Sequence, residues 1–169
     1  IPVTEYNSII YVTVTGAGTQ LGNSWANATS SIEEAQTLAQ TYGAVVWVAA
    51  GTYYGDTVST SNNAFTMVDG VNVYGGFAGN EPADYDLSQR DFEANATILD
   101  GQNARRVLNQ PSSFNAQTTW NGFVMQNGQT SGNGGGAYLQ NNGVLSQCKI
   151  IACMAPNGGG VYNSRGTIS

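Results

Sequence analysis

The chain repeats itself near its C-terminal end. Gly134-Gly135-Gly136-Ala137-Tyr138 reads GGGAY, and Gly158-Gly159-Gly160-Val161-Tyr162 reads GGGVY, 24 residues later. A second echo runs beside it: Phe123 and Cys148 are 25 residues apart, and so are Met125 and Ile150. A fixed period of this size marks a repeated structural unit. Each unit holds short apolar strands and glycine corners, with no segment of helix length. A chain that closes one turn in about 20–30 residues through strands alone stacks its turns, each strand pairing with its counterpart in the next. The pattern predicts an all-β chain coiled as a parallel β-helix. In it Phe123 stacks on Cys148 and Met125 on Ile150, all pointing inward, and Tyr138 lies on Tyr162. The competing fold is an antiparallel β-sandwich, because Asp-Gly and Asn-Gly also make hairpins; the 24-residue period weighs against it.

Upstream the period is less regular. Tyr11–Thr15 alternates and reads as a first strand, and Val45-Val46-Trp47-Val48-Ala49-Ala50 reads as a buried one closed by Gly51. Tyr74-Gly75, Asp100-Gly101 and Asn121-Gly122, separated by 26 and 21 residues, read as imperfect rungs of one ladder. Ile32, Ala35, Leu38, Ala39 and Tyr42 share one face at helical spacing. Ser30 or Ser31 can cap this helix; from Ser30, Glu33 completes a capping box. Gly43 ends it. A solenoid end exposes an apolar cross-section and open strand edges, so this helix is expected to be the N-terminal lid. Residues 1–44 are then strand, loop and capping helix, and residues 45–169 are rungs interrupted by an acidic excursion at 80–95. Gly166-Thr167-Ile168-Ser169 matches Gly143-Val144-Leu145-Ser146 at an offset of 23, as though a further rung were starting. The expectation is a fragment or trimmed form of a longer protein, with either end-to-end self-association through an apolar section near Val144, Ile150 and Val161 or a frayed, disordered tail.

Composition narrows the class. Charged residues are 9%, against about 25% in average globular chains. Glycine is 22 of 169 residues, and the charge is −6 with only five basic residues, which argues against a nucleic-acid or anionic-membrane binder. No apolar run is long enough to span a membrane. There is no histidine, so Ser-His-Asp and Cys-His catalysis are excluded. Cys148 and Cys153, spaced C-x4-C, suit either a disulfide or two reduced core side chains.

The order of motifs is specific: YVTVTGAG, GNSWANATSSIEEA, VVWVAAGTYYGD, VYGGFAGNE, DLSQRDFEANATILDG, WNGFVMQNG, GGGAY, GGGVY. From Tyr11 onward the chain resembles the N-terminal part of Bacteroidetes-type right-handed parallel β-helix surface proteins. It is more loosely similar to the repeats of polymorphic outer-membrane proteins, whose GGA(I/V/L) motif Gly135-Gly136-Ala137-Tyr138 and Gly159-Gly160-Val161-Tyr162 nearly match. Their companion FxxN is not met: Phe123 is followed by Asn127, one residue too far. The resemblance implies export, a cell-surface location associated with the outer membrane, and a pectate-lyase-like fold. A shared fold does not confer an activity.

Candidate chemistry follows from residue types. The glycine triplets lack the Lys-Ser/Thr of a phosphate loop; they are expected to let rungs turn sharply and stack closely. Glu81, Asp84, Asp86, Asp91 and Glu93 hold oxygen ligands that suit calcium, with Asp84, Asp86 and Asp91 the leading set. The plainer reading is a solvated loop held by Arg90 and a carboxylate. Arg105 and Arg106 beside Asp100 are the basic candidates for a lyase, although adjacent strand residues point to opposite faces; the plainer reading is one surface charge and one pair with Asp100. Asp69 and Asp100 are the candidate acid pair for a glycosidase, although Asp-Gly is first a turn signature. Tyr53, Tyr54, Tyr74, Tyr85, Trp120, Tyr138 and Tyr162 are candidate sugar-stacking aromatics, with Tyr138 and Tyr162 the preferred ligand-binding pair. Asp56-Thr57-Val58 resembles a short O-glycosylation signal, and Asn27-Ala28-Thr29 and Asn95-Ala96-Thr97 are N-sequons.

The expected function is that of an exported, non-catalytic surface module, a rigid scaffold or an adhesive domain that faces glycans or host and cell-surface components. The alternative is the N-terminal part of a polysaccharide lyase or glycoside hydrolase. Convergence of several polar or charged side chains in one groove along the sheet favours the enzyme; ladders of Asn, Thr and Ser without convergence favour the scaffold.

Overall fold

The computed structural model describes residues 8–55 and 62–169. In chain order its elements are β1 (Ile9–Val12), α1 (Ile32–Tyr42), β2 (Val45–Ala49), β3 (Gly51–Tyr53), β4 (Asn63–Thr66), β5 (Val73–Phe77), β6 (Thr97–Asp100) and β7 (Arg106–Asn109). Then come β8 (Thr118–Asn121), β9 (Phe123–Gln126), β10 (Ala137–Leu139), β11 (Gly143–Ser146), β12 (Lys149–Ile151), β13 (Val161–Asn163) and β14 (Thr167–Ile168). The first sheet has the order β1-β2-β5-β8-β11-β14, the second β3-β6-β9-β12 and the third β4-β7-β10-β13. Every pairing is parallel. From β2 onward the chain visits the first, second and third sheets in unbroken rotation. The described protein is therefore mostly β, with parallel sheets alone and one α-helix near its N-terminus, an arrangement compatible with a parallel β-helix.

The strands are short, and their side chains alternate between an inner and an outer face. Val46, Val73, Trp120 and Leu145 from the first sheet, Leu99, Phe123 and Met125 from the second, and Phe65, Leu108, Ala137 and Leu139 from the third meet in one buried core. The registers place Met125 beside Ile150, Val124 beside Lys149, and Tyr138 beside Tyr162. Phe123 and Met125 are fully buried, and Cys148, Ile150 and Cys153 pack against the same core.

Three details correct the sequence reading. The first strand is Ile9–Val12, not Tyr11–Thr15, because the chain turns at residues 14–15 into a loop. Tyr74 pairs with Asn121 in the first sheet, whereas Asp100 pairs with Gln126 in the second. Asp100-Gly101 is therefore not a rung of the Tyr74–Asn121 ladder; it marks a different corner of the same coil. On the last turn Val144 is buried and Ile150 and Val161 are half-buried. The exposed apolar side chains there are Ile151, Met154 and Ile168.

Helix α1 packs on β1, β2 and β4. Ser31, not Ser30, is its N-cap: the Glu34 N–H donates to Ser31 Oγ at 3.0 Å. Glu34 does not close a capping box. Its carboxylate accepts from Thr29 Oγ1 at 2.9 Å, and the Ser31 N–H donates to that same hydroxyl oxygen at 3.2 Å. Gly43 ends the helix at φ +67°, a left-handed conformation that favours glycine. Ile32, Ala35 and Ala39 join the core. Tyr42 leaves the face and is 50% exposed, and Gln36 is buried in its stead. Gln36 Nε2 donates to the Thr66 carbonyl at 3.0 Å, so the helix satisfies a strand-edge oxygen as well as covering apolar side chains.

The excursion between β5 and β6 crosses the outer face of the first sheet. There it meets the loop that follows β1. Ile9, Tyr11, Ala28, Trp47 and Phe77 form a second apolar cluster, with Trp25, Tyr74, Tyr85 and Leu87 packed against it. Trp47 and Phe77 stack with centroids 4.5 Å apart, and Tyr11 meets Trp25 edge-on at 4.7 Å. Arg90 pins the excursion down. Its Nε donates to Leu87 O at 2.8 Å, Nη1 to Gly75 O at 2.8 Å and Nη2 to Asn121 Oδ1 at 2.7 Å. Its guanidinium also lies within 5.0–5.5 Å of the centroids of Phe92, Tyr74 and Phe77. Carbonyls, one amide and three rings hold Arg90, where a carboxylate was expected.

Candidate functional site

The Tyr138–Tyr162 pair stands on the outer face of the third sheet. Its rings are stacked with centroids 5.4 Å apart and planes 3° from parallel. Parallel, in-register pairing of β10 and β13 forces this, because equivalent outward side chains sit one inter-strand spacing apart. Arg106 lies over the Tyr138 ring, 5.4 Å from its centroid. The guanidinium also donates to Asn63 Oδ1 at 2.6 Å, Asn109 Oδ1 at 3.1 Å, Asn133 O at 2.6 Å and Gly134 O at 2.9 Å. Arg106 is thus a staple across successive turns. Tyr138 is flanked by Tyr162 and Arg106, whereas Tyr162 lies on the edge strand of the sheet.

The glycine triplets make this stacking possible. Gly134 and Gly158 have φ of +70° and +60°. A Cβ on Gly135 would lie 2.5 Å from Met154 O and 2.6 Å from Gly159 O, and one on Gly136 would lie 2.5 Å from Gly160 O. In each triplet the first glycine makes the left-handed bend; Gly135 and Gly136 also let the next turn approach closely.

The acidic residues of the excursion act as local caps. Asp86 accepts from the Ser88 N–H at 2.9 Å, and Asp91 from the Glu93 and Ala94 N–H groups at 3.0 and 2.9 Å. Glu81 accepts from the Gly79 and Asn80 N–H groups at 3.0 Å each. Among the described residues no group of three acidic, histidine or cysteine side chains is placed to hold a metal ion, so Asp84, Asp86 and Asp91 are not brought together as one.

Asp69 and Asp100 serve different corners. Asp69, after β4, accepts from the Asn115 and Ala116 N–H groups at 2.9 and 3.0 Å. These bonds hold its carboxyl below the usual aspartate value. Asp100 ends β6. Burial pushes its carboxyl up, but hydrogen bonds from Gln126 Nε2 (2.8 Å), the Gln102 N–H (2.7 Å) and Asn127 Nδ2 (2.9 Å) outweigh burial and hold it below the usual value. Arg105 Nη2 donates to the Tyr54 carbonyl at 2.6 Å. The expected pair between Asp100 and one of these arginines is replaced by amide partners on the carboxylate and by the staple at Arg106.

Of the other aromatic candidates, Trp120 and Tyr53 are buried inward, Tyr74 lies under Arg90, Tyr85 packs on Phe77, and Tyr54 is exposed. Cys148 and Cys153 are free thiols. Cys148 Sγ contacts Ser146 O at 3.3 Å and Cys153 Sγ contacts Ile151 O at 3.3 Å, and burial pushes both thiols up. The Asp56-Thr57-Val58 signal lies outside the described residues. In the N-sequons, Thr29 and Thr97 are buried.

A feature the sequence reading missed lies at the corner between the second and third sheets. Asn62, Asn103, Ala104, Gln129, Thr130 and Ser131 line a cleft of about 320 Å³. The signal was present: Asn103 and Gln129 recur 26 residues apart, and Asn103 has φ +53°, a conformation that asparagine tolerates. Compared with protein-family models, with curated proteins and with solved structures, the chain finds no match.

Proposed function

We propose that this chain is a right-handed parallel β-helix module of an exported cell-surface protein, acting as a non-catalytic scaffold with a glycan-facing side. Crossovers between parallel strands of one sheet are right-handed in about 98% of cases, which favours that hand. The Bacteroidetes-type resemblance belongs to the same reading, as do export and an outer-membrane-associated location. No helix among the described residues is long and apolar enough to cross a membrane. The partners on this reading are glycans or other cell-surface components.

One observation carries the proposal. Among the described residues polar side chains run as ladders along the stacking direction, and the charged ones do not converge in one groove. Asn157 Nδ2 donates to Asn133 Oδ1 at 3.0 Å, Asn121 Nδ2 to Gln147 Oε1 at 3.3 Å, and Gln126 Nε2 to Asp100 Oδ2 at 2.8 Å. A lyase or glycosidase needs an acid and a base, or a base and a cation, facing one bond. Here the carboxylates of Asp69, Asp86, Asp91 and Asp100 and the guanidinium of Arg106 are held by neighbouring amides, carbonyls and N–H groups. The test is incubation with acidic and neutral polysaccharides, followed by absorbance of unsaturated product and by reducing ends. The expected result is binding without turnover. Turnover abolished by Asp100→Asn or Arg106→Gln would replace this reading with the enzyme alternative.

A further inference from the structure

Among the described residues most side-chain amides have a partner, and of those without one, three share a single cleft. Gln110 is tied to Ser112 and Asn141, Asn142 to Phe114, Asn115 to Asp69, Asn127 to Asp100, and Asn133 to Asn157. The side-chain amides of Asn62, Asn103 and Gln129 and the hydroxyl of Ser131 make no such bond among the described residues, and they line one cleft of about 320 Å³. The lining comes from successive turns of the coil.

The backbone beneath them is fixed. The Asn103 N–H donates to Asn127 O at 2.7 Å, the Gln129 N–H to Arg105 O at 2.9 Å, and the Arg106 N–H to Asn62 O at 2.9 Å. The Gly132 N–H donates to Thr130 Oγ1 at 3.1 Å, which leaves the Thr130 hydroxyl proton free to donate into the cleft. The exposed side chains of Asn62, Asn103 and Gln129 stand on a fixed backbone, so a ligand has only their rotamers left to order.

We infer that this corner cleft binds a neutral, hydroxyl-rich ligand, a stretch of uncharged oligosaccharide. The inference rests on the glycan-facing reading above and deepens it. An amide presents one acceptor and two donors on a single short side chain, and a sugar hydroxyl is both donor and acceptor. Among the described residues the lining carries no ionisable side chain, so none of them compensates a uronate or sulfate, and the net charge of −6 repels acidic chains. The described lining also holds no aromatic ring, so recognition here runs through hydrogen bonds and differs from stacking on Tyr138 and Tyr162.

The experiment is an NMR titration of the labelled chain with neutral gluco-, xylo- and manno-oligosaccharides and with oligogalacturonate. A neutral oligosaccharide should shift the side-chain amide signals of Asn103 and Gln129 and the Ser131 N–H. Asn103→Gly keeps the left-handed backbone and removes the amide; combined with Gln129→Ala it should weaken binding by about tenfold without lowering the melting temperature. The Asn103, Gln129 and Ser131 shifts should persist in Tyr162→Ala. Three results overturn the inference. Shifts confined to Tyr138 and Tyr162, with loss in Tyr162→Ala, would leave the glycan-facing reading standing and remove this cleft from it. Tighter binding of oligogalacturonate would do the same. No shift with any oligosaccharide would remove both.

Discussion

The outer faces of the first and third sheets are built on the same coil and have opposite characters. Over the first sheet, Tyr11, Trp47 and Phe77 point outward and are roofed by the loop after β1 and by the excursion after β5, giving a second buried cluster. On the third sheet Arg106 joins Asn63, Asn109 and Tyr138 by hydrogen bonds and ring contact, Tyr138 stacks on Tyr162, and no loop among the described residues roofs them. The backbone does not decide which face is covered; the side chains do. An aromatic outward row needs a roof to leave water, and an amide and guanidinium row does not. Apolar packing gathers on the roofed face, and the proposed ligand site lies at the corner beside the open one.

The sharpest way to break this contrast is to truncate one ring on each face. Trp47→Ala should cost about 3–5 kcal/mol in denaturant unfolding, as buried aromatics do. Tyr138→Ala should cost about 1 kcal/mol, the worth of one stacked pair and one cation–π contact at a half-exposed site. Equal costs would erase the distinction. Next comes the pin of the roof. Arg90→Ala should cost about 2–4 kcal/mol, since it removes three hydrogen bonds and leaves Asn121 Oδ1 and two carbonyls unpaired. Arg90→Lys should recover little, because an ammonium lacks the planar fork. Cleavage by protease within residues 80–93 should rise in both variants.

Acid should act at the corners. Asp69 and Asp100 have folded carboxyls held below the usual value. Their contribution is therefore present above the ordinary aspartate value of about 3.9 and is lost as pH falls below it through the depressed folded values. Unfolding midpoints followed on acidification should drop less steeply in Asp100→Asn than in the parent; identical slopes would show that Asp100 carries none of the effect. The smallest expected change is a gain. Ala152 sits at φ +51°, at a corner in register with Asn127 at φ +54°. Ala152→Gly should stabilise by about 0.5–1 kcal/mol, net of glycine's greater unfolded freedom, and a lower melting temperature would count against it.

The regular half of the coil was legible because its turns have nearly equal lengths. The Phe123–Cys148 and GGGAY–GGGVY offsets translate directly into register, since parallel pairing without bulges preserves sequence spacing. The first half was misread where the excursion lengthens one turn. Tyr74 and Asn121 are 47 residues apart although they are neighbours in one sheet, and Asp100-Gly101 lay between them with the same turn signature. A dipeptide that suits any corner cannot say which corner it occupies. The roof was invisible for a different reason: Trp47 in an apolar run gives no sign of pointing away from the main core. At the candidate site, spacing identified the tyrosine pair. The corner cleft was missed because an untied amide and a tied one look alike until their partners are placed.

The central claim is that strands rotate through three parallel sheets, and solution NMR tests it most directly. Inter-strand backbone contacts should join Thr97 to Phe123, Val124 to Lys149, and Ala137 to Val161, with the contact pattern of parallel pairing. Close Hα–Hα contacts between strands adjacent in sequence, such as β9 and β10 folded back as a hairpin, would contradict the account and restore the antiparallel sandwich.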